Sequence, residues 1–271
     1  DGRWRSTMEL TPGSHTLRVW ANHPSGQYTA GATNTFTLSS SGADSAVAQY
    51  DGNGNVNRRI WKFPNGQTNR TQTLTWDAFD RLVKAAERDT VNSGFDWTAA
   101  YDSFSRRVQT RCTLVVSNTP ITSPASAVSV VTPYYDPQVE FLEVGVDVNG
   151  VATWKRYGPD LDGSYGGMQG TGGLDLVAQE TQPDPDGVVS DLFGHVLGRI
   201  TNGAVVWSPT RFSGYGPVPG YASPALSLNV PLVTATGWRG RHVDETGLMW
   251  LGARYYDPVA GRFLSADPLG H

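Results

Sequence analysis

The chain has 271 residues, 38% hydrophobic and 17% charged, which is apolar enough to bury a core and excludes wholesale disorder. Its 21 basic and 25 acidic residues leave a net charge of −4 with no basic stripe, so nucleic acid is a poor partner. No apolar run approaches the roughly 20 residues a membrane-spanning helix needs, and the single cysteine, Cys112, excludes an internal disulfide.

Turn formers and aromatics are abundant (31 Gly, 17 Pro, 9 Trp, 11 Tyr), and apolar runs at helical spacing are rare. That balance predicts an all-β fold of short strands joined by turns. In the first 40 residues, Leu10-Thr11-Pro12-Gly13 reads as a turn and His15 to Ala21 alternates as a strand does. Asn22 to Gly26 is a second turn, and Ala32 to Leu38 is a strand with Phe36 and Leu38 on one face. This unit resembles the closing half of a bacterial immunoglobulin-like module. Half a sandwich cannot close a core alone. Residues 1–40 are therefore expected to be a partial β-sandwich, and the chain, which opens on Asp1-Gly2-Arg3-Trp4, to be a piece of a longer polypeptide.

After the polar linker Ser39 to Ala43 a repeat begins. Aromatic–Asp pairs start at Tyr50, Trp76 and Tyr101, so they lie 26 and then 25 residues apart. The unit reads as an aromatic, an Asp, two spacers, a turn residue, then Asn or Arg and an apolar residue. The Asp can accept backbone N–H groups in an Asx-turn, and Gly52, Asn53, Gly54 and Asn55 tolerate the positive φ of tight hairpins. The aromatic ends a strand and is expected to stack on the aromatic of the next unit. Strands are expected over Val56 to Phe63, Leu82 to Arg88 and Thr110 to Val116, the last carrying Cys112 as a small structural residue.

Tyr-Asp-Gly-Asn-Gly-Asn at 50–55 and Trp-Asp-Ala-Phe-Asp-Arg-Leu at 76–82 resemble the YD repeats of the bacterial RHS family. Arg156 to Ser164 running into Gly170 to Leu174, Asp191 to Leu197, and Phe212 to Pro217 resemble further, more degenerate units. The longest match is Arg239 to Gly270, containing E-T-G-L, G-A-R-Y-Y-D-P, G-R-F and Asp267-Pro268-Leu269-Gly270, which resembles the RHS repeat-associated core. The resemblance covers roughly residues 44–271, and residues 113–150 fit it only loosely. It implies a spiralling antiparallel β-sheet shell over residues 44–238 and a truncated core over 239–271.

The resemblance also implies a function: a secreted or cell-surface bacterial shell that encapsulates a C-terminal, toxin-like polypeptide of the same protein and delivers it. In such shells two D-P-x-G motifs supply the carboxylates of an aspartyl-type self-cleavage. Asp267 matches the first, half of a pair that shares a proton as acid and base. The fragment alone is expected to be inactive. A cell-surface adhesion or carbohydrate-binding role is the alternative, with glycans or self-association as further partners. Arg254 and Arg262 are expected to hold the core by ion pairs or by stacking on Tyr255 and Tyr256.

Other motifs point to no chemistry, and no cofactor or metal is expected. Asp51 to Asn55 resembles the opening of a calcium loop, but an EF-hand needs Gly and Glu where Val56 and Lys62 stand, so it reads as a turn. Gly166 to Gly173 lacks the signatures of phosphate and dinucleotide loops and reads as close packing. His15, His23, His195, His242 and His271 show no metal-ligand spacing. Asp160 with Asp162, and Asp184 with Asp186, read as turn formers.

Overall fold

A computed structural model describes residues 13–22, 29–38, 45–123, 128–139, 141–159, 165, 173–181, 184–191, 193–207, 212–213, 216–217, 238, 241 and 243–267. The fold is all-β, and the described residues contain no helix. At the N-terminal end, β1 (Gly13–Asn22) and β2 (Thr29–Leu38) form a two-stranded antiparallel sheet, pairing Gly13 with Leu38 through to Asn22 with Thr29. Both strands contain the expected ones and run a few residues further.

The rest is dominated by one 14-stranded antiparallel sheet. Its first half holds β3 (Ser45–Tyr50), β4 (Val56–Lys62), β5 (Thr68–Trp76), β6 (Leu82–Asp89), β7 (Gly94–Tyr101) and β8 (Arg107–Val116). A short return, β9 (Thr119–Pro120), pairs with β8. The second half holds β10 (Val128–Tyr135), β11 (Glu143–Val148), β12 (Val151–Tyr157), β13 (Leu174–Gln179), β14 (Asp186–Ser190), β15 (Val196–Thr201) and β16 (Ala204–Trp207). Apart from β9 each strand pairs with its predecessor in the chain, so alternate turns fall on the same rim. The aromatic–Asp turns after β3, β5, β7 and β10 share one rim with the Asp191 turn after β14.

One turn form recurs along this rim. At Asp51, Asp77, Asp102 and Asp191, Oδ1 accepts the backbone N–H groups two and four residues on, at 2.8–3.0 Å. The fourth residue of the turn takes positive φ: Gly54 at 85°, Asp80 at 56°, Ser105 at 61°, Gly194 at 77°. The Asp side chain thus satisfies the two amides that a tight hairpin leaves without a ladder partner. Asp89, on the opposite rim, builds the same turn with Val91 and Ser93, a unit without a preceding aromatic.

An aromatic sits at the register shift near the end of five of these strands: Tyr50, Trp76, Tyr101, Tyr135 and Tyr157 each lie at a β-bulge. Trp76 Nε1 donates to the carbonyl of Val56 (2.8 Å), and the Tyr101 hydroxyl donates to Leu82 O (2.8 Å). The Tyr135 hydroxyl donates to Arg107 O (3.0 Å) and that of Tyr157 to Glu143 O (2.9 Å). Each acceptor is the first residue of the strand that opens the preceding unit. Arg81 also lies over the Tyr101 ring and Arg106 over the Tyr135 ring, at 4.9 and 5.6 Å. The expected ring-on-ring stacking between units is therefore replaced by a hydrogen bond and a guanidinium. The physical reason is spacing: units lie two strands, about 10 Å, apart, so an aromatic meets the backbone between them first.

Alternation puts one face of the sheet inward. Leu74, Ala85, Trp97, Cys112 and Ser129 are successive register partners across five strands, β5, β6, β7, β8 and β10, and all are buried. With Val56, Leu82 and Phe95 this row is the sheet's half of the main core.

Candidate functional site

The other half of that core is the C-terminal segment. Residues 243–267 form three short strands, β19 (Met249–Trp250), β20 (Tyr255–Asp257) and β21 (Arg262–Phe263), after the small pair β17 (Phe212–Ser213) and β18 (Gly216–Pro217). Asp244-Glu245-Thr246-Gly247-Leu248 folds as another tight hairpin, with Asp244 N donating to Leu248 O at 2.7 Å and Gly247 at φ 76°. Asp257 caps the next turn, its Oδ1 accepting from Val259 N (2.9 Å) and Ala260 N (3.0 Å). Leu248, Tyr255 and Leu264 have at most 1% exposure and pack against the inner row.

Polar groups fix where the segment sits. Arg107, with no exposed surface, pairs with Asp244 and also donates to the Tyr255 hydroxyl at 2.8 Å. Arg59 pairs with Asp257, and its Nε donates to Gln72 Oε1 at 3.0 Å. Gln72 in turn donates to the Thr246 carbonyl at 3.0 Å, and Ser129 Oγ donates to Glu245 Oε1 at 2.8 Å. The Val56 amide closes the far end on Leu264 O at 2.8 Å. Trp97 meets the Tyr255 ring edge-on, with centroids 5.8 Å apart, and Tyr101 packs against Trp250. Hydrophobic burial alone would let the segment slide; buried pairs with fixed partners permit one register.

Charge is retained here against burial. Burial works to discharge Arg107, but Asp244, with the nearby tyrosine hydroxyls, outweighs it and drives the guanidinium well above its ordinary value. Burial lowers Arg59, and Asp257 only partly restores it. Burial raises Glu87, against the pull of Arg70 and Arg59. Burial also lifts the Tyr255 hydroxyl well above its usual range.

A second polar knot lies beside the first. Lys155 Nζ donates to Glu143 Oε1 at 2.6 Å, and the pair lines a small cavity with Tyr135, Tyr157, Arg241 and Trp250. Burial works to lower Lys155, but Glu143 outweighs it and raises the amine, while burial pushes the Tyr135 hydroxyl up to about 12. This knot joins β11 and β12 to the C-terminal segment through Arg241 and Trp250. Trp238 adds a stacked contact, lying flat on Tyr256 (5.7 Å, 8°) and facing His195 (6.3 Å, 21°). Gly216 closes on Pro258: a Cβ there would stand 2.8 Å from the proline Cβ.

Asp267 ends the described segment. Its carboxylate is 34% exposed and pairs with Arg254 Nη2 at 3.0 Å, while Arg254 lies over Phe263 at 3.8 Å and Arg262 over Tyr50 at 5.7 Å. Arg254 thus makes an ion pair, as expected, while the rings under the two arginines are others than the expected Tyr255 and Tyr256, which are buried. Cys112 is buried in β8, and burial pushes its thiol well up. Asp186 is not a turn former: it opens β14, is 5% exposed, and accepts from Thr201 Oγ1 at 2.7 Å and Arg199 at 3.2 Å. Asp160, Asp162, His23, His242, His271 and Gly166 to Gly172 lie outside the described residues. Among the described residues no three His, Cys, Asp or Glu side chains gather as metal ligands.

Several functional residues escaped the sequence reading. Arg107 follows Arg106 directly, and the repeat pattern alone does not separate the two. Its signal is positional: it stands where Val56 and Leu82 open their strands, an inward site. Tyr135-Asp136 is a further aromatic–Asp turn with a longer loop, Asp136 Oδ1 accepting from Gln138 N and Val139 N. It was masked because the excursion around β9 breaks the 25-residue period.

Fold and site together define an all-β repeat sheet that carries its own C-terminal segment on one face. The chain is similar to two toxin subunits of Yersinia entomophaga. It is 58% identical to YenC1 over 36 residues, 13% of this chain and 4% of that protein. It is 34% identical to YenC2 over 95 residues, 32% of this chain and 10% of that protein. The chain thus spans a tenth or less of these relatives. Crystal structures of TcdB2-TccC3 align over 95% of this chain and 14% of theirs, with 15–16% identity and a TM-score of 0.47. No protein-family profile matches the chain.

Proposed function

We propose that this chain is a wall segment of a bacterial RHS-type shell, secreted or displayed at the cell surface, that encloses and delivers a polypeptide lying C-terminal to residue 271. The observation that carries the reading is the docking of residues 243–267 on the inner row of the sheet by the buried pairs Arg107–Asp244 and Arg59–Asp257. A segment locked in one register can hand a following chain to a fixed place beside the wall. Similarity to the Yersinia toxin subunits supports a toxin-complex role. In this reading residues 1–40 belong to an immunoglobulin-like module, 44–238 to the shell and 239–271 to the core. Asp267, placed by Arg254, is one carboxylate of a self-cleaving pair whose second member lies further along the polypeptide. The two share one proton; the ionised one activates water and the protonated one assists the carbonyl.

Peptide mapping and intact-mass measurement of the native polypeptide test this. The expected result is sequence continuing past His271 to one discrete cut, which Asp267→Asn abolishes. Sequence running on uncut into further β modules or a surface anchor would replace the reading with an adhesion role.

A further inference from the structure

The small cavity where β11 and β12 meet the C-terminal segment carries more donors than acceptors. Of the three charged side chains that line it, two are cations, Lys155 and Arg241, against the one carboxylate of Glu143. The Lys155 and Glu143 side chains are 2% and 9% exposed. Lys155 Nζ spends one N–H on Glu143 Oε1, and among the described residues no further acceptor takes its other two. Two tyrosine hydroxyls reach the cavity and are themselves spent as donors, Tyr135 to Arg107 O and Tyr157 to Glu143 O. Burial works to discharge Lys155, but Glu143 outweighs it, so the ammonium keeps its charge.

A second, independent feature faces the same space. Trp250 is 7% exposed, and its Nε1–H has no hydrogen-bond partner. An indole nitrogen can only donate, so whatever satisfies it must be an acceptor. That nitrogen is turned towards the Tyr135 hydroxyl in the cavity wall without forming a hydrogen bond to it. A buried donor left without an acceptor is costly, and idle N–H groups on a buried ammonium are costlier. A water molecule would meet these donors only by adding two hydrogens of its own, which need acceptors in turn. Surplus donors and surplus positive charge around one space form the shell of an anion.

We infer that this cavity binds one monatomic anion of the halide class, chloride in a physiological medium, held by the Lys155 ammonium, the Trp250 indole N–H and the Arg241 guanidinium. Space sets the class: there is room for about one water-sized sphere, which excludes sulfate, phosphate and carboxylates. Glu143 stays on Lys155 and repels the anion, so binding is weak and the ion exchanges. The ligands span β12, which carries Lys155, and β19, which carries Trp250. A bound halide therefore ties the wall to the C-terminal segment at a point apart from Arg59 and Arg107. It does so whatever polypeptide the wall encloses.

Thermal unfolding of the chain in sodium gluconate, with NaCl exchanged in at constant ionic strength, tests the site, and crystals soaked in NaBr locate it by anomalous scattering. The expected result is a Tm that rises by about 2–4 °C at saturating chloride, with slower proteolysis within residues 238–267. One bromide peak should stand within hydrogen-bonding distance of Trp250 Nε1 and Lys155 Nζ. Sodium sulfate at the same ionic strength should not raise Tm in this way. Lys155→Met with Glu143→Met removes both charges of the pair and keeps the volume, so it folds, and it should lose the chloride response. Trp250→Phe deletes the N–H and should weaken chloride binding by about tenfold. Lys84→Met, at an exposed lysine, should leave the response unchanged. Water alone in the cavity of the bromide-soaked crystal would overturn the proposal. So would an equal Tm rise in chloride and sulfate, or a chloride response that survives the double variant.

Discussion

Arg106 and Arg107 are neighbours in the chain and opposites in role. Arg106 is a rim residue, 31% exposed, paired with Asp102 four positions earlier. Arg107 has no exposed surface and pairs with Asp244, 137 residues away. The first pair finishes a turn that its own five residues already determine. The second exists only once the sheet has formed and the C-terminal segment has settled on it. The same side chain, moved one step along a strand, passes from local trim to the element that registers one part of the molecule on another. The comparison separates two layers: a rim built of self-sufficient turns and a seam built of long-range pairs.

The largest expected effect comes from breaking the seam. Arg107→Ala removes the buried guanidinium that faces the Asp244 carboxylate and should cost roughly 3–5 kcal/mol, read as a lower denaturation midpoint and as proteolysis within residues 238–267. Arg106→Ala should cost less than about 1 kcal/mol by the same measurement. Equal losses would erase the distinction between rim and seam. The double change Arg107→Met with Asp244→Leu should be milder than Arg107→Ala alone, because it removes both charges and keeps the volume; if it is as harmful, the pair contributes more than register.

Gly216→Ala sharpens the seam from its other side. The new Cβ would press on Pro258, and φ of 136° disfavours a side chain. A loss of about 1–3 kcal/mol is expected, again measured by denaturant unfolding. On the rim, Tyr101→Phe deletes the hydrogen bond to Leu82 O and should cost about 1 kcal/mol; no change would mean that the aromatic acts by packing alone.

The smallest effect is one of pH, and the two layers should differ in sign. Burial works to raise Asp77, but the backbone and side chain of Arg81 and the amide of Phe79 outweigh it and hold the carboxyl below its ordinary value. Burial works to raise Asp102 as well, and the side chain and amide of Arg106 with the amide of Phe104 lower it. Both contribute stability that is present above the unfolded carboxylate range, near pH 4, and is lost as pH falls through the lower folded values. Glu87 is raised by burial. Its contribution is present below the unfolded value and is lost as pH rises through the folded one. Stability curves from pH 3 to 7 should therefore flatten at the acid end in Asp77→Asn and at the neutral end in Glu87→Gln. Matching slopes in both variants would show that rim and seam titrate alike.

What the sequence determined by itself is the rim. Aromatic, Asp, two spacers, a residue tolerant of positive φ: each unit meets its hydrogen-bonding needs within a few residues, so composition and spacing announced the turns at Asp51, Asp77 and Asp102, and with them the all-β fold. Where chain neighbours no longer decide, the reading stopped. Tyr135-Asp136 was hidden by a loop that changed the period. Asp186 passed for a turn former although Arg199 and Thr201 draw it into β14. Only the tertiary structure decided which face of the sheet turned inward, that Arg59 and Arg107 lie on it, and that Asp244 and Asp257 meet them. A buried charge is tolerated only opposite its partner, and partners set well over a hundred residues apart are brought together by the fold.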